Sequence, residues 1–143
     1  MARIKIDIQG KLLGTVSIPV RITDINYGNH LGNDALVSLL HEARVSWLAT
    51  LGFTELNIEG ASLIQGDLAV EYLKESFYGD VLNISIYASE ISRVSFDLLY
   101  HVETTRGQET ISIAKAKTGL ICFNYEQRKV MAVPAAFLPV LQP

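Results

Sequence analysis

The chain carries a single cysteine, Cys122, and so cannot close an internal disulfide. No apolar run approaches the roughly 18 residues that a membrane-spanning helix needs. Positive charge is scarce too. Twelve Lys and Arg stand against 15 Asp and Glu, a formal net charge of -3, which removes the broad basic field that nucleic acid or acidic lipid requires. No Gly-x-Ser-x-Gly elbow and no P-loop occur, and His30, His41 and His101 are too scattered for an i, i+4 metal pair. Repeats, low-complexity tracts and linker-like stretches are also missing. Metal chemistry, an elbow serine and a phosphate cradle therefore drop out of the first readings.

What is present is a chain of 143 residues, 49% of them hydrophobic, enough for one full core and too little for two. One domain spanning 1–143 is expected. Its N-terminus, MARIKIDIQG, alternates polar and apolar residues where a signal peptide would have an apolar core, so a soluble cytoplasmic protein is expected. Cys122 falls in the strand-like run from Gly119 to Phe123 and reads as a small buried hydrophobe.

The hydrophobic period divides the chain. Residues 3 to 8 alternate, Gly10-Lys11 can turn, and Leu13 to Val20 resumes an extended pattern that Pro19 assigns to a sheet edge. From Asn33 the period lengthens to that of a helix of about eighteen residues. Leu36, Leu39, Leu40, Ala43, Trp47, Leu48 and Leu51 form its stripe, and Gly52 is its stop. Residues 53 to 60 read as a short turn or a single helical turn, and everything after them as strand. Leu68 to Leu73, Leu82 to Ala88, Phe96 to Val102, Thr110 to Phe123 and a closing Val130 to Val133 make up a meander with turns at Tyr78-Gly79-Asp80, Thr104–Gln108 and Asn124–Lys129. One early helix and many later antiparallel strands define an α+β architecture, with the stripe broad enough for a sheet to wrap the helix.

Between the second strand and that helix lies the most polar stretch of the chain, Asp24-Ile25-Asn26-Tyr27-Gly28-Asn29-His30-Leu31-Gly32-Asn33. It ends at a helix N-terminus, whose unpaired N–H groups can polarise a carbonyl oxygen. Asp24 is a candidate to orient water or act as base, or else a turn acceptor. Asn26 can hold a water or a substrate carbonyl, or simply close an Asx-turn. A histidine in His30's place suits proton transfer, or else caps backbone or packs on a second subunit. Glu42 lies roughly 130° from the centre of the helix stripe, on a flank a partner could cover, and is either a reserve base or an ion-pair partner for Arg44 or a partner-chain Arg. His41 reads as a packing residue and His101 as solvent-facing.

Arg21, Asp24, His30, Asn33, Glu42 and Arg44 resemble, without a gap, the pattern Arg-x-x-Asp-x-Asp-x-x-Gly-His-Val-Asn-Asn followed by Glu-x-Arg. That pattern belongs to the 4-hydroxybenzoyl-CoA thioesterase-like branch of hotdog-fold acyl-CoA thioesterases. Tyr72, Gly79-Asp80 and Pro134 match further family positions, so the resemblance covers nearly the whole chain. It implies a hotdog fold in which a curled antiparallel sheet of five or six strands wraps one long central helix. It also implies hydrolysis of an acyl thioester, acyl-CoA or an acyl carrier protein conjugate, to free acid and thiol. Coenzyme A enters only as part of the substrate, with no other cofactor. In relatives the position of Asn33 supplies a backbone N–H to the thioester carbonyl. The family's second Asp, nucleophile or base in relatives, is Asn26 here, and an amide can do neither.

Asn26 and His30 are then expected to orient or deprotonate water, with Glu42 or Asp24 as reserve base. Any nucleotide part of the substrate would meet surface cations such as Lys74, Arg93, Arg128 or Lys129. A homodimer or dimer of dimers is expected, because a lone hotdog leaves a sheet edge and a helix flank bare. Two rivals follow. A hotdog dimer could bind an acyl thioester without turnover, or an enoyl-CoA hydratase could use Asp24, Asn26 and His30. Hydratases, however, carry Asp-x-Asn-Pro-x-His, and here the Pro is missing and the His comes one residue late.

Overall fold

A computed structural model describes residues 1–143. Its elements in chain order are β1 (Lys11–Pro19), α1 (Asn33–Thr50), β2 (Ser62–Tyr72), β3 (Val81–Ser89), β4 (Ser95–Arg106), β5 (Glu109–Asn124), β6 (Lys129–Val130) and α2 (Leu138–Leu141), with a 3-10 turn at Ile22–Asp24. The six strands form one antiparallel sheet ordered β1-β3-β4-β5-β2, with short β6 beside the end of β5. Register shifts at Leu12/Gly14, Gln65/Asp67 and Val102/Glu103 mark bulges, which bend strands and increase their twist.

Strict alternation dictates which face curls inward. Leu82, Ile84, Ile86 and Ala88 of β3, Phe96, Leu98, Tyr100 and Val102 of β4, and Ala114, Ala116, Leu120 and Cys122 of β5 are all buried. They share one continuous core with Leu36, Leu39, Leu40, Ala43, Trp47 and Leu48 of α1. A fully buried aliphatic side chain contributes about 1.5–3 kcal/mol, so the packing of this helix rests chiefly on its apolar stripe. Gly52, at φ +81, follows the last turn in the left-handed region, as a helix stop requires. Burial pushes the Cys122 thiol up to about 11, and the group is inert in the core.

One charge enters that core. Arg44 is 5% exposed; its Nε donates to Glu55 Oε2 at 2.7 Å and its Nη1 to the Tyr100 hydroxyl at 3.0 Å, with Thr118 Oγ1 2.8 Å beyond. The ion-pair partner of Arg44 is therefore Glu55, not Glu42. Glu55 also meets His41 Nε2 at 2.5 Å, so His41 is an exposed residue hydrogen-bonded to Glu55 and not a packing one. His101 lies on the outer face as expected, hydrogen-bonded to Ser112 Oγ at 2.9 Å.

Three expected elements differ. Residues 3 to 8 are extended but join no ladder; Ile6 N–H goes to Glu71 Oε1 at 3.0 Å and Arg3 Nη2 to the Tyr72 carbonyl at 2.9 Å. Alternation selects a face, but a strand also needs an edge in register, and here the Glu71 side chain takes a donor that a ladder would have used. The closing strand is only Lys129–Val130. Beyond it, Met131 and Val133 donate to Cys122 and Arg93 carbonyls without forming regular structure. The tail ends in α2, where no helix was expected. Phe137 is fully buried there against Trp47, Phe53 and Phe96, with ring centroids 6.2, 5.7 and 5.9 Å away.

Candidate active site

The loop before α1 is built on Asp24. Its carboxylate accepts the Arg21 backbone N–H at 2.9 Å and the Arg21 guanidinium at 3.2 and 3.1 Å, and its carbonyl accepts Gly32 N–H at 2.9 Å. Burial alone would raise this carboxyl, but the Arg21 guanidinium and N–H outweigh burial and hold it below the usual carboxylate range. Both oxygens are occupied, so Asp24 is an anchor and not a free base.

Asn26 closes the loop on itself. Its N–H donates to the His30 carbonyl at 3.0 Å, its carbonyl accepts Asn29 N–H at 3.0 Å, and its Oδ1 accepts Gly28 N–H at 2.9 Å, an Asx-turn. Asn29 sits at φ 68, a left-handed conformation that asparagine tolerates. Space at Gly28 is tight: a Cβ there would lie 3.1 Å from His30 Nε2 and 3.3 Å from Asn26 Oδ1, so these two atoms flank it. His30 Nδ1 is 3.2 Å from the Leu31 carbonyl, which fixes Nδ1 as the protonated nitrogen of the neutral ring and leaves the Nε2 lone pair free.

α1 begins openly. Gly32 is its N-cap, with extended backbone and no side-chain cap. The N–H groups of Asn33, Asp34 and Ala35 find no acceptor in the chain, and the first intrahelical bond runs from Leu36 N–H to the Gly32 carbonyl at 3.0 Å. A pocket of about 190 Å³ reaches this end, lined by His30, Leu31, Gly32, Asn33, Leu36, Tyr72, Leu73, Lys74, Glu75, Ser76 and Ile113. The Tyr72 hydroxyl donates to the Asn33 carbonyl at 3.2 Å and ties β2 to the helix start.

The far wall is the connection from β2 to β3, and Asp80 organises it. Its carboxylate accepts Ser76 Oγ at 2.8 Å, Phe77 N–H at 2.9 Å and the Arg106 Nη2 at 2.7 Å. Burial would raise the Asp80 carboxyl; these donors outweigh it and hold the group below its ordinary value. Ser76 in turn accepts Leu31 N–H on its carbonyl at 2.7 Å, so the wall and the loop are one hydrogen-bonded unit.

Of the five candidate residues, His30 and Asn33 line the pocket, while Asp24 and Asn26 stand behind it holding the loop. Glu42 lies elsewhere, in a depression with Ile18, Pro19, Arg21, Ser38 and Leu39. Helical phase explains this: residues three to four apart share a face, and Glu42 shares one with Ser38 and Leu39, whereas the pocket-lining Asn33 lies on the opposite side of the helix. Sequence reasoning missed Glu75 as a site residue and assigned Tyr72 no role there. Their approach to His30 and Asn33 depends on strand register, for which no local signal exists. Lys74 borders the pocket, whereas Lys129 pairs with Asn124 at the opposite end of β5 from Ala114, the partner of Tyr72. Nowhere do three His, Cys, Asp or Glu side chains converge as a metal ion would need.

A long helix clasped by a curled antiparallel sheet, with a pocket at the helix start, is the hotdog architecture, and solved structures agree. PA2801 protein from Pseudomonas aeruginosa, provisionally named a thioesterase, superposes with a TM-score of 0.81 at 24% identity over 90% of this chain and 98% of that one. Slr0204, a 1,4-dihydroxy-2-naphthoyl-CoA thioesterase from Synechocystis, gives 0.78 at 19% over 89% and 93%. An aspartate-to-asparagine variant of 4-hydroxybenzoyl-CoA thioesterase, complexed with 4-hydroxybenzoyl-CoA, gives 0.79 at 18% over 90% and 97%.

Residues 20–141 match the model of the Thioesterase-like superfamily, and the chain belongs to that family. A relative from Aquifex aeolicus (strain VF5), provisionally named an esterase, is 30% identical over 103 residues, covering 71% of this chain and 76% of the relative. No helix is long and apolar enough to cross a membrane.

Proposed function

We propose that the protein hydrolyses an acyl thioester, carried on coenzyme A or on an acyl carrier protein, to free acid and thiol. The observation that carries this reading is the uncapped start of α1, with three open N–H donors, one of which (Asn33) belongs to a residue lining a pocket that also holds His30. A thioester carbonyl accepting the Asn33 N–H is polarised by that donor and by the helix dipole, and the oxyanion formed on attack gains more than the ground-state carbonyl does. His30 Nε2 takes a proton from the attacking water, the C–S bond breaks, and the thiolate leaves with that proton. Asn26 keeps His30 in position through the backbone and Asx-turn bonds, and Asp24 and Arg21 keep the loop closed on α1. Glu42 takes no part in this scheme.

Two copies are part of the reading. At about 190 Å³ the pocket is smaller than the roughly 300–1,000 Å³ typical of ligand sites. β2 has a free edge in this chain, and Leu68 and Tyr72 on it and Val45 on α1 are exposed. A second copy paired along β2 would enlarge the pocket and cover these residues. Lys74 at its rim would meet a phosphate of the carrier. Cytoplasmic residence accords with such substrates.

A second reading has its own support: neither Asp24 nor position 26 offers a free carboxylate, and the cited 4-hydroxybenzoyl-CoA thioesterase variant, aspartate changed to asparagine, is itself complexed with its acyl-CoA. Binding without turnover would look the same from this loop. The hydratase rival is disfavoured, since Asp24 is locked to Arg21. Thiol release by the purified protein over a panel of aromatic and aliphatic acyl-CoA substrates separates the two. Turnover that His30→Gln lowers by about 10²- to 10⁴-fold supports hydrolysis; tight binding with no thiol release establishes the binding protein instead.

A further inference from the structure

The mechanism above gives His30 no charged partner, and the loop that should supply one carries an amide at position 26. Across the pocket stands Glu75, whose Oε1 lies 3.8 Å from His30 Nε2. Its side chain is largely exposed, but its backbone is not free. The Glu75 carbonyl accepts Arg106 Nη2 at 3.0 Å, and the next residue, buried Ser76, is held by Asp80 and by Leu31 N–H. The carboxylate therefore hangs from a fixed point on the pocket wall. We propose that Glu75 is the positioning residue for His30, bringing from the β2–β3 connection the carboxylate that the helix-start loop lacks.

This rests on the hydrolase reading and adds one group to it. With Nδ1–H directed to the Leu31 carbonyl, Nε2 is the only ring nitrogen able to accept a proton, and it accepts on the side where Glu75 stands. Water attacks the thioester carbon, its O–C bond forms, and its proton passes to Nε2. The imidazolium so created sits beside the Glu75 carboxylate, which lowers the energy of that charge without exchanging a proton itself. Collapse of the tetrahedral intermediate breaks C–S, and the thiolate takes the proton back from Nε2. The other charged or titratable groups around the pocket are Lys74 and Tyr72 on the wall and Asp34 in the first turn of α1. At 3.8 Å, and partly screened by water, a carboxylate favours the charged ring enough to change a rate roughly five- to tenfold.

The test compares wild type, Glu75→Gln, Glu75→Asp and the pair with His30→Gln in steady-state thiol release from one acyl-CoA that the wild type turns over. Glu75→Gln is expected to lower kcat roughly five- to tenfold with KM within about twofold, Glu75→Asp to recover most of that loss, and Glu75→Gln to have no further effect once His30 is Gln. Wild-type kcat in Glu75→Gln, an equal loss in Glu75→Asp, or a full additional loss in the His30→Gln background would overturn the role of Glu75 while leaving hydrolysis intact. A wild type that releases no thiol from any acyl-CoA would overturn the hydrolase reading and this proposal with it.

Discussion

The two ends of α1 are finished in opposite ways. At its C-terminus Trp47 and Phe53 pack on Phe137 from the tail, which also touches Phe96, and the end of the core is sealed by apolar surface. At its N-terminus Gly32 brings no capping side chain and three N–H groups face no acceptor. Relative to glycine, a capping Ser, Asp or Asn contributes only a few tenths of a kcal/mol, so stability alone would slightly favour one here. The closed end carries stability, and the open end leaves its donors unpaired at a small cost in stability.

Emptying the closed end should have the largest effect. Phe137→Ala removes a fully buried ring and is expected to destabilise by about 3–5 kcal/mol, read as a lowered midpoint in chemical denaturation, with kcat per folded molecule unchanged. A fall in kcat without loss of stability would erase the division of labour.

Asn33→Pro tests the open end. Asn33 is the first helical residue, where proline is tolerated, and Gly32 before it, at φ −69 and ψ 148, already has the backbone that a following proline demands. The helix should survive by circular dichroism while one donor disappears. Loss of an oxyanion donor typically costs about 2.7–4 kcal/mol, a kcat decrease of roughly 10² to 10³. Undiminished turnover in a folded variant would mean that the carbonyl is polarised elsewhere.

Asn26→Asp restores a carboxylate while keeping an acceptor for Gly28 N–H. Its free oxygen would stand across Gly28 from His30 Nε2, and thiol release should rise about a hundredfold, the lower end of what acid–base groups contribute. Equal or lower turnover would leave His30, beside Glu75, as the sole group that handles the proton.

The gentlest probe is pH. Asp24 and Asp80 both titrate below their unfolded values, so their stabilisation is full above about pH 4 and is lost as pH falls through the lower folded values. Because both hold the open end together, acid should loosen the pocket before the aromatic seal. Hydrogen exchange at Leu31 and Gly32 should rise on acidification ahead of exchange at Leu48, and simultaneous loss would show that the two ends unfold as one.

Much of this molecule can be read in one dimension. β3, β4 and β5 follow from alternation because a sheet with one face on a core buries every second residue, and α1 follows from a stripe bounded by Gly32 and Gly52. Residues 3 to 8 carry the same alternation and form no strand, since pairing needs an edge and not only a pattern. Within the site, Asn26 and Asp24 were visible as turn formers, and those are the bonds they make. The place of Glu42 outside this pocket was not legible, because motif spacing says nothing about which side of the helix the pocket occupies.

Local chemistry thus determined the strands, the helix, the polar loop and the family to which the chain belongs, because each depends on residues close together in sequence. The tertiary structure alone decided that Glu75 and Tyr72 face the start of α1. Those outcomes follow from strand register and from the anchoring of the β2–β3 connection by Arg106 and Asp80, interactions between residues far apart in the chain.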